Sequence, residues 1–188
     1  MSFRKHNDEG FTGLEAAIVL IAFVVVAAVF SYVVLGAGFF TTQKAQETVY
    51  KGVEQSTANI QMIGNVYGLA TAADANITKI SFVIGLAPGA SPMDLTKMKI
   101  VFSTPGTAPQ ILQQFDGAAN QTVFNTTMSG VSKTSINPND QVEIVFLVSD
   151  QAVPPNTKMN IELRPSVGAA LPFTKTAPAT IAKTNVLY

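Results

Sequence analysis

Residues 10–40 read GFTGLEAAIVLIAFVVVAAVFSYVVLGAGFF, and between Phe11 and Phe40 the only ionisable side chains are Glu15 and Tyr32. A helix of this length extends about 45 Å, which exceeds the roughly 30 Å hydrocarbon core of a bilayer. The stretch therefore predicts an apolar helix that can span a membrane. Two basic residues ahead of it predict a cytoplasmic N-terminus, with the rest of the chain outside the cell.

Three interpretations of this helix compete. A conventional cleavable signal has an apolar region of only about 7–15 residues, although Gly36-Ala37-Gly38 has the small residues of a weak cleavage site. A permanent membrane anchor fits the length, but it leaves a charged residue, Glu15, within the apolar run. That carboxylate is tolerated in an anchor if it lies close enough to the membrane surface to stay hydrated. The third interpretation is a cut at the start of the apolar run.

A cut between Gly10 and Phe11 would give Glu15 a role. Phe11 would then carry a free, positively charged amino group, and Glu15 lies four residues away, one turn along the same helix face. In an apolar helix bundle that amine could pair with Glu15 of a neighbouring copy, because a paired buried charge is tolerated and an unpaired one is costly. The sequence thus predicts a leader of residues 1–10 and a carboxylate that sets the register of assembling copies.

Beyond Phe40 the apolar side chains narrow to a single stripe. Its members follow the 4-3-4-3-4 spacing of a heptad seam with one small polar member: Val49, Val53, Ser56, Ile60, Ile63 and Tyr67. This spacing predicts that the assembly helix covers residues 11–68. A bundle-forming stalk and a helix packed on its own globular domain would both show such a stripe.

The residue pattern of 69–188 is typical of short strands separated by turns. Four runs alternate apolar and polar residues between turn-forming Gly, Pro and Asn residues: residues 80–86, 98–102, 142–148 and 159–163. Weaker strands are expected at 110–115, at 121–128 and near the C-terminus. Short strands at close spacing predict a β-sandwich. The fold class is therefore α+β, with a long N-terminal helix followed by a sandwich.

Composition excludes several classes of function. Lys and Arg together number 12, as do Asp and Glu, so no net positive charge is available to bind nucleic acid. The chain has no cysteine, and its one histidine, His6, lies in the predicted leader. The mature chain therefore offers no histidine-based catalytic site and no His/Cys metal cluster. We expect no enzyme, no metal and no cofactor.

Three Asn-X-Thr triplets are candidate N-glycosylation sites, at Asn76, Asn120 and Asn125. A surface rich in Asn and Thr also produces such triplets by chance. An exported domain favours the functional interpretation. Asn76 directly precedes a predicted strand, and Asn120 and Asn125 are expected in an exposed loop or edge.

Three stretches carry a resemblance to a known family. Gly10 followed by FTGLEAAIVL resembles the class III signal of type IV pilin-like proteins, and residues 10–40 as a whole are similar to archaeal flagellins (archaellins). GLAPGASPMDLTKMKIVFSTP, residues 85–105, resembles the segment that opens the outer domain of those proteins. IELRPSVGAALPFTKTAPATI, residues 161–181, resembles their C-terminal strands. The resemblance implies that the predicted sandwich is immunoglobulin-like and antiparallel.

The resemblance also implies a function: a structural subunit of the extracellular archaeal flagellum, a helical rotating filament used for swimming. Implied partners are other copies and related archaellins, a membrane peptidase that cuts Gly10–Phe11, an assembly ATPase on a membrane platform, and an oligosaccharyltransferase. The precursor would wait in the cytoplasmic membrane. Two alternatives share this anatomy: a type IV pilus subunit for adhesion, and a membrane-anchored β-domain that never polymerises.

Overall fold

A computed structural model describes the backbone of residues 8–148 and 153–188, and side chains from residue 13 onward within those ranges. Residues 1–7 of the predicted leader lie outside these ranges. The chain divides into two compact units, Met1–Tyr50 and Lys51–Tyr188. The described residues form one helix and twelve strands: α1 (Asp8–Thr57), β1 (Ile60–Ala70), β2 (Ile77–Leu86), β3 (Met93–Asp94), β4 (Lys99–Ser103), β5 (Gln110–Gln114), β6 (Val123–Met128), β7 (Val131–Ser132), β8 (Ser135–Ile136), β9 (Gln141–Leu147), β10 (Lys158–Arg164), β11 (Leu171–Thr176) and β12 (Thr184–Leu187).

Helix α1 runs for 50 residues, Asp8–Thr57, without a proline. Two glycines, Gly36 and Gly38, weaken helix propensity by roughly 1 kcal/mol each. Just after them, the hydroxyl of Thr41 donates to the carbonyl of Ala37, and that of Thr42 to the carbonyl of Gly38, both at 2.8 Å. These hydroxyls are therefore satisfied by the helix itself and need no outside partner.

The predicted C-terminal end of the helix is wrong. The helix ends at Thr57, and the last three members of the predicted seam, Ile60, Ile63 and Tyr67, belong to strand β1. Gly64 interrupts any helix there because its φ is +76°, in the left-handed region. Pairing with β2 places Ile60 opposite Leu86, and both side chains are buried in the core.

The strands form a sandwich whose layers run β11-β10-β4-β5 and β6-β9-β2-β1-β12. Rings on strands that are not neighbours meet across the interior: Phe102 and Phe146 have centroids 5.8 Å apart, and Phe82 and Phe173 5.5 Å. These contacts show that the continuous sheet folds over on itself. The predicted class, a long helix followed by a β-sandwich, is confirmed.

The sandwich differs from the fully antiparallel arrangement that the resemblance implied. Strands β5 and β6 pair in parallel, with Gln113 opposite Val123 and Gln114 opposite Phe124, and this short ladder joins the two layers. At the other end, the backbone amides and carbonyls of Thr176 and Tyr188 exchange hydrogen bonds of 2.6 and 3.2 Å. Edge strands β11 and β12 are thereby tied together, which covers part of two otherwise open edges.

Candidate assembly helix and modification sites

The apolar side chains of α1 are exposed on every side of the helix. From Gly13 to Tyr50 every side chain is exposed, and the large apolar ones are at least half exposed. Isolated exposed apolar residues are ordinary, but a continuous apolar surface marks contact with a membrane or with other protein. The segment Gly13–Thr57 is long and apolar enough to cross a membrane. It is also long enough to pack along several neighbouring helices.

Glu15 lies within this apolar surface, in the second full turn of α1, and its side chain is exposed. The backbone is already helical at Gly10 and Phe11, so the predicted cut falls inside the first turns of the helix. Residues 11 and 15 are consequently one turn apart on one face. The side chains of residues 8–12 lie outside the described residues, and the pairing of Glu15 with an amino terminus remains a prediction.

Polar side chains return in the C-terminal part of α1. Lys44 and Glu47 form an ion pair with 2.7 Å between Nζ and Oε2. The amide of Ala58 donates to the carbonyl of Glu54 at 2.9 Å, so the last turn closes normally at its junction with β1. Ala58 is buried, and its carbonyl lies directly against Gly168 in the loop between β10 and β11.

Two of the three sequons are accessible. Asn76 is exposed immediately before β2. Asn120 is exposed ahead of β6, and its Oδ1 accepts hydrogen bonds from the Thr122 amide at 2.8 Å and from the Thr122 hydroxyl at 3.0 Å. This Asx turn holds the side chain in one orientation at the surface. Both sites therefore suit modification of the folded domain.

The strand expected at 121–128 is present as β6, but the expected position of Asn125 in an exposed loop or edge is wrong. Asn125 lies within β6, between the paired strands β5 and β9, and is opposite Val145. Its Oδ1 is buried and has no hydrogen-bond partner. The sequence pattern predicts a strand at 121–128, but it does not show that other strands pair on both sides of that strand. The partner strands are far away in sequence, and only the fold reveals them.

The acidic side chains of the described residues are the remaining candidates for a functional site. No group of three or more His, Cys, Asp or Glu side chains there could hold a metal ion. Asp94 lies beside a cavity of about 310 Å³, which sequence reasoning missed. Its Oδ1 accepts hydrogen bonds from the Thr96 amide at 2.9 Å and from the Thr96 hydroxyl at 2.5 Å, and these bonds lower the pKa of Asp94. The carboxylate of Asp94 therefore stabilises the turn that contains Thr96.

A sequence model of archaeal-type flagellins matches residues 10–175. The chain belongs to the archaeal-type flagellin family. This flagellin is 40% identical over 200 aligned residues to probable flagellin 1 of Archaeoglobus fulgidus, covering 100% of this chain and 98% of the relative. It is 36% identical to probable flagellin 2 of the same organism, over 98% of this chain and 96% of the relative.

Solved structures agree with this assignment. The archaeal flagellum of Methanospirillum hungatei strain JF1 superimposes with a TM-score of 0.74 and 32% identity, covering 94% of this chain and 99% of that one. The crystal structure of flagellin FlaB1 from Methanocaldococcus jannaschii has a TM-score of 0.58 at 18% identity, covering 69% of this flagellin and 96% of that chain, which shows the fold alone. The predicted family and its structural role are confirmed.

Proposed function

We propose that this flagellin polymerises through α1 into an extracellular filament that drives swimming. The observation that carries the proposal is the exposed apolar surface of α1 between Gly13 and Phe40. The similarity over 94% of the chain to the subunit of a flagellar filament supports the same conclusion. The alternatives of a type IV pilus subunit and a non-polymerising anchor have no observation of their own in their favour.

The precursor waits in the cytoplasmic membrane, with α1 in the hydrocarbon and the leader in the cytoplasm. The family resemblance supports a membrane peptidase that cuts between Gly10 and Phe11, and an ATPase on a membrane platform that drives subunits into the filament. The length and apolar character of the segment Gly13–Thr57 suit this membrane-embedded precursor. The same surface then becomes the contact surface of a helix bundle.

Leaving the membrane gives α1 little hydrophobic free energy, because lipid tails are as apolar as the neighbouring helices. Close packing and charge pairing must then favour assembly. The small side chains of α1 allow neighbouring backbones to approach closely: Gly13, Ala16, Ala17, Ala22, Ala27, Ala28 and Ser31. Glu15 pairs with the amino group of Phe11 on a neighbouring copy, which fixes the axial register because any other register leaves a charge unpaired in an apolar bundle.

The contact between copies is heterologous, meaning that two different surfaces meet. Repeating such a contact without closing a ring produces an open helical filament. An oligosaccharyltransferase modifies the exported domain at Asn76 and Asn120, the two sequons whose side chains are exposed. Glycans at these positions cover solvent-facing loops without entering the core.

Deletion of the gene, followed by complementation, tests the proposal. We expect the deletion strain to lose surface filaments in electron micrographs and to stop swimming, and the intact gene to restore both. Full swimming together with lost attachment would instead assign the chain to a pilus. Unchanged filaments and unchanged swimming, with no related flagellin in the filament, would contradict the proposal.

A further inference from the structure

The layer that contains strands β4, β10 and β11 has an excess of basic side chains on its outward side. Buried side chains alternate with outward ones along β4 and β10, which separates the two sides of these strands. Three basic residues and one acidic residue lie outward, and we call this surface the basic face: Lys99, Lys158, Arg164 and Glu162. The excess is local, because the whole chain has 12 basic and 12 acidic residues.

The strand register places two of these basic residues side by side. Lys99 is opposite Arg164 in the ladder between β4 and β10, and like charges in this position destabilise a pair of strands. Arg164 is neutralised by Glu162, whose two carboxylate oxygens accept hydrogen bonds from its Nε and Nη2 at 3.0 and 2.9 Å. Lys99 is exposed, and no acidic side chain of the described residues forms an ion pair with it. Its ammonium group is therefore available to an anion from outside.

A groove of about 310 Å³ lies within the basic face, between β4, β10 and β11. Its walls combine hydrogen-bonding and apolar side chains, among them Ser103, Asn160, Thr174, Val101 and Pro172. The Thr174 hydroxyl donates to Oδ1 of Asn160 at 2.8 Å, which fixes the amide and leaves its N–H groups to donate elsewhere. The volume is at the lower end of the range of about 300–1,000 Å³ for small-ligand sites. The groove therefore suits one or two units of a larger polymer.

The positions of the charges favour an extended ligand. Residues 160–162 of β10 line the groove, and Lys158 and Arg164 flank it along the same strand. Six residues of strand separate these two by about 20 Å. A small anion cannot contact both ends, whereas a linear polymer with spaced negative charges can.

The uncharged groups favour a polysaccharide over a nucleic acid. Hydroxyl and amide groups can both donate to and accept from the hydroxyl groups of sugars. Single-stranded nucleic acids are bound largely by stacking of bases on aromatic side chains. No aromatic side chain of β4 or β10 faces outward, since Phe102 is buried and β10 has none.

We propose that the basic face binds an acidic polysaccharide, a polymer of uronic acids, and so attaches the filament to surfaces that carry it. Lys99 and Lys158 pair with carboxylates of the polymer, and Asn160 and Ser103 form hydrogen bonds with its hydroxyl groups. This binding activity goes beyond the proposed function. It rests on that function in one respect, because the face must stay accessible when the chain is in a filament.

Filaments sheared from cells provide the first test. They are mixed with beads coated with polygalacturonate, a polymer of uronic acid, or with dextran, a neutral polymer. We expect polygalacturonate beads to retain at least about tenfold more filament than dextran beads, because many copies bind one surface at once. Retention should fall as the salt concentration is raised, since the exposed charges are then screened.

A matched pair of lysine substitutions locates the contact. Lys99→Gln changes the basic face, whereas Lys79→Gln removes the same charge from β2 in the other layer. Both lysines are exposed, and both lie on strands that are paired on each side. The loss at each subunit is multiplied over the copies engaged, so we expect at least about tenfold lower retention for Lys99→Gln. Lys79→Gln should be retained like the parent.

A second pair of substitutions tests the groove. Asn160→Ala removes an amide from the groove, and Gln113→Ala removes one from β5, outside it. Both side chains are exposed, so neither change disturbs the core. We expect Asn160→Ala to lower retention at least about threefold, through the loss of a hydrogen bond in each engaged copy. Gln113→Ala should have no effect.

Several outcomes would overturn the inference. Equal retention on polygalacturonate and dextran beads would remove the preference for acidic sugars, and equal losses for Lys99→Gln and Lys79→Gln would show an effect of net charge alone. Stronger binding to vesicles that contain phosphatidylserine than to polygalacturonate would assign the face to a lipid surface instead.

Detergent-solubilised full-length subunits separate this inference from the proposed function. Subunits that bind polygalacturonate while filaments do not would show that assembly covers the face, and the attachment proposal would fail. If the parent chain forms no filaments in the cell, the proposed function fails. Binding by the solubilised parent subunit, lost in Lys99→Gln and kept in Lys79→Gln, would still support the site, and its absence would overturn it.

Discussion

Gly168 lies directly against the carbonyl group of Ala58, the residue after α1, and Gly168→Ala should destabilise the β-domain strongly. Gly168 has a φ of +99°, and a Cβ atom added there would lie 1.8 Å from the carbonyl oxygen of Ala58. Real Cβ atoms essentially never approach another heavy atom closer than 3.0 Å. The collision is with backbone, so no side-chain rotation can relieve it. The loop or the helix exit must move by more than 1 Å.

The magnitude follows from two separate contributions. A non-glycine residue at such a φ costs about 1–3 kcal/mol, and forcing extra volume into a packed contact costs about another 1–3 kcal/mol. We therefore expect Gly168→Ala to lower the free energy of unfolding by about 2–6 kcal/mol. Gly106→Ala is the matched control, because Gly106 has a φ of +89° but no heavy atom within 4 Å of the added Cβ. It should incur only the backbone contribution.

Denaturant unfolding of purified subunits, followed by circular dichroism in the β-sheet region, measures both variants. The difference between the two should be about 1–3 kcal/mol, which corresponds to several degrees in Tm for a domain of this size. A loss for Gly168→Ala no greater than that for Gly106→Ala would show that Ala58 does not pack on this glycine.

Three further predictions concern assembly, the core and pH. Glu15→Gln should leave leader removal intact but reduce filament formation, measured by electron microscopy; normal filaments would refute the pairing mechanism. Phe146→Ala should lower the free energy of unfolding by about 3–5 kcal/mol, because its ring packs 5.8 Å from that of Phe102; a loss below about 1 kcal/mol would contradict this packing. Hydrogen bonds from Arg164, then its charge, lower the pKa of Glu162. That contribution to stability is present above the unfolded-state pKa and is lost as pH falls through the folded-state pKa. Glu162→Gln should therefore lower Tm at neutral pH but leave it unchanged once Glu162 is protonated, and an equal loss at both pH values would refute the ion pair.

Sequence reasoning succeeded where the signal is local. In an apolar environment every backbone N–H and C=O group must be hydrogen-bonded internally. The run from Phe11 to Phe40 therefore forms one long helix. The clearest alternating runs, such as that in β9, fall within strands because successive side chains point to opposite faces. In both cases the residues themselves carry the periodicity.

Sequence reasoning failed where contacts with residues distant in the sequence determine the local structure. Ile60 and Ile63 continue a helical spacing, yet pairing with β2 and the φ of Gly64 make them part of a strand. Asn125 is expected at an exposed loop or edge, but β6 is covered by β9 on one side and by β5 on the other. The parallel pairing of β5 with β6 is also invisible in either strand alone, because each shows only its own alternation.

Mass spectrometry of filaments sheared from the cell surface tests the central claim most directly. The account predicts that this chain is present in the filament and begins at Phe11, with the leader of residues 1–10 removed. A subunit that still begins at Met1, or filaments that lack the chain altogether, would contradict the claim that α1 is released from the membrane to build the filament.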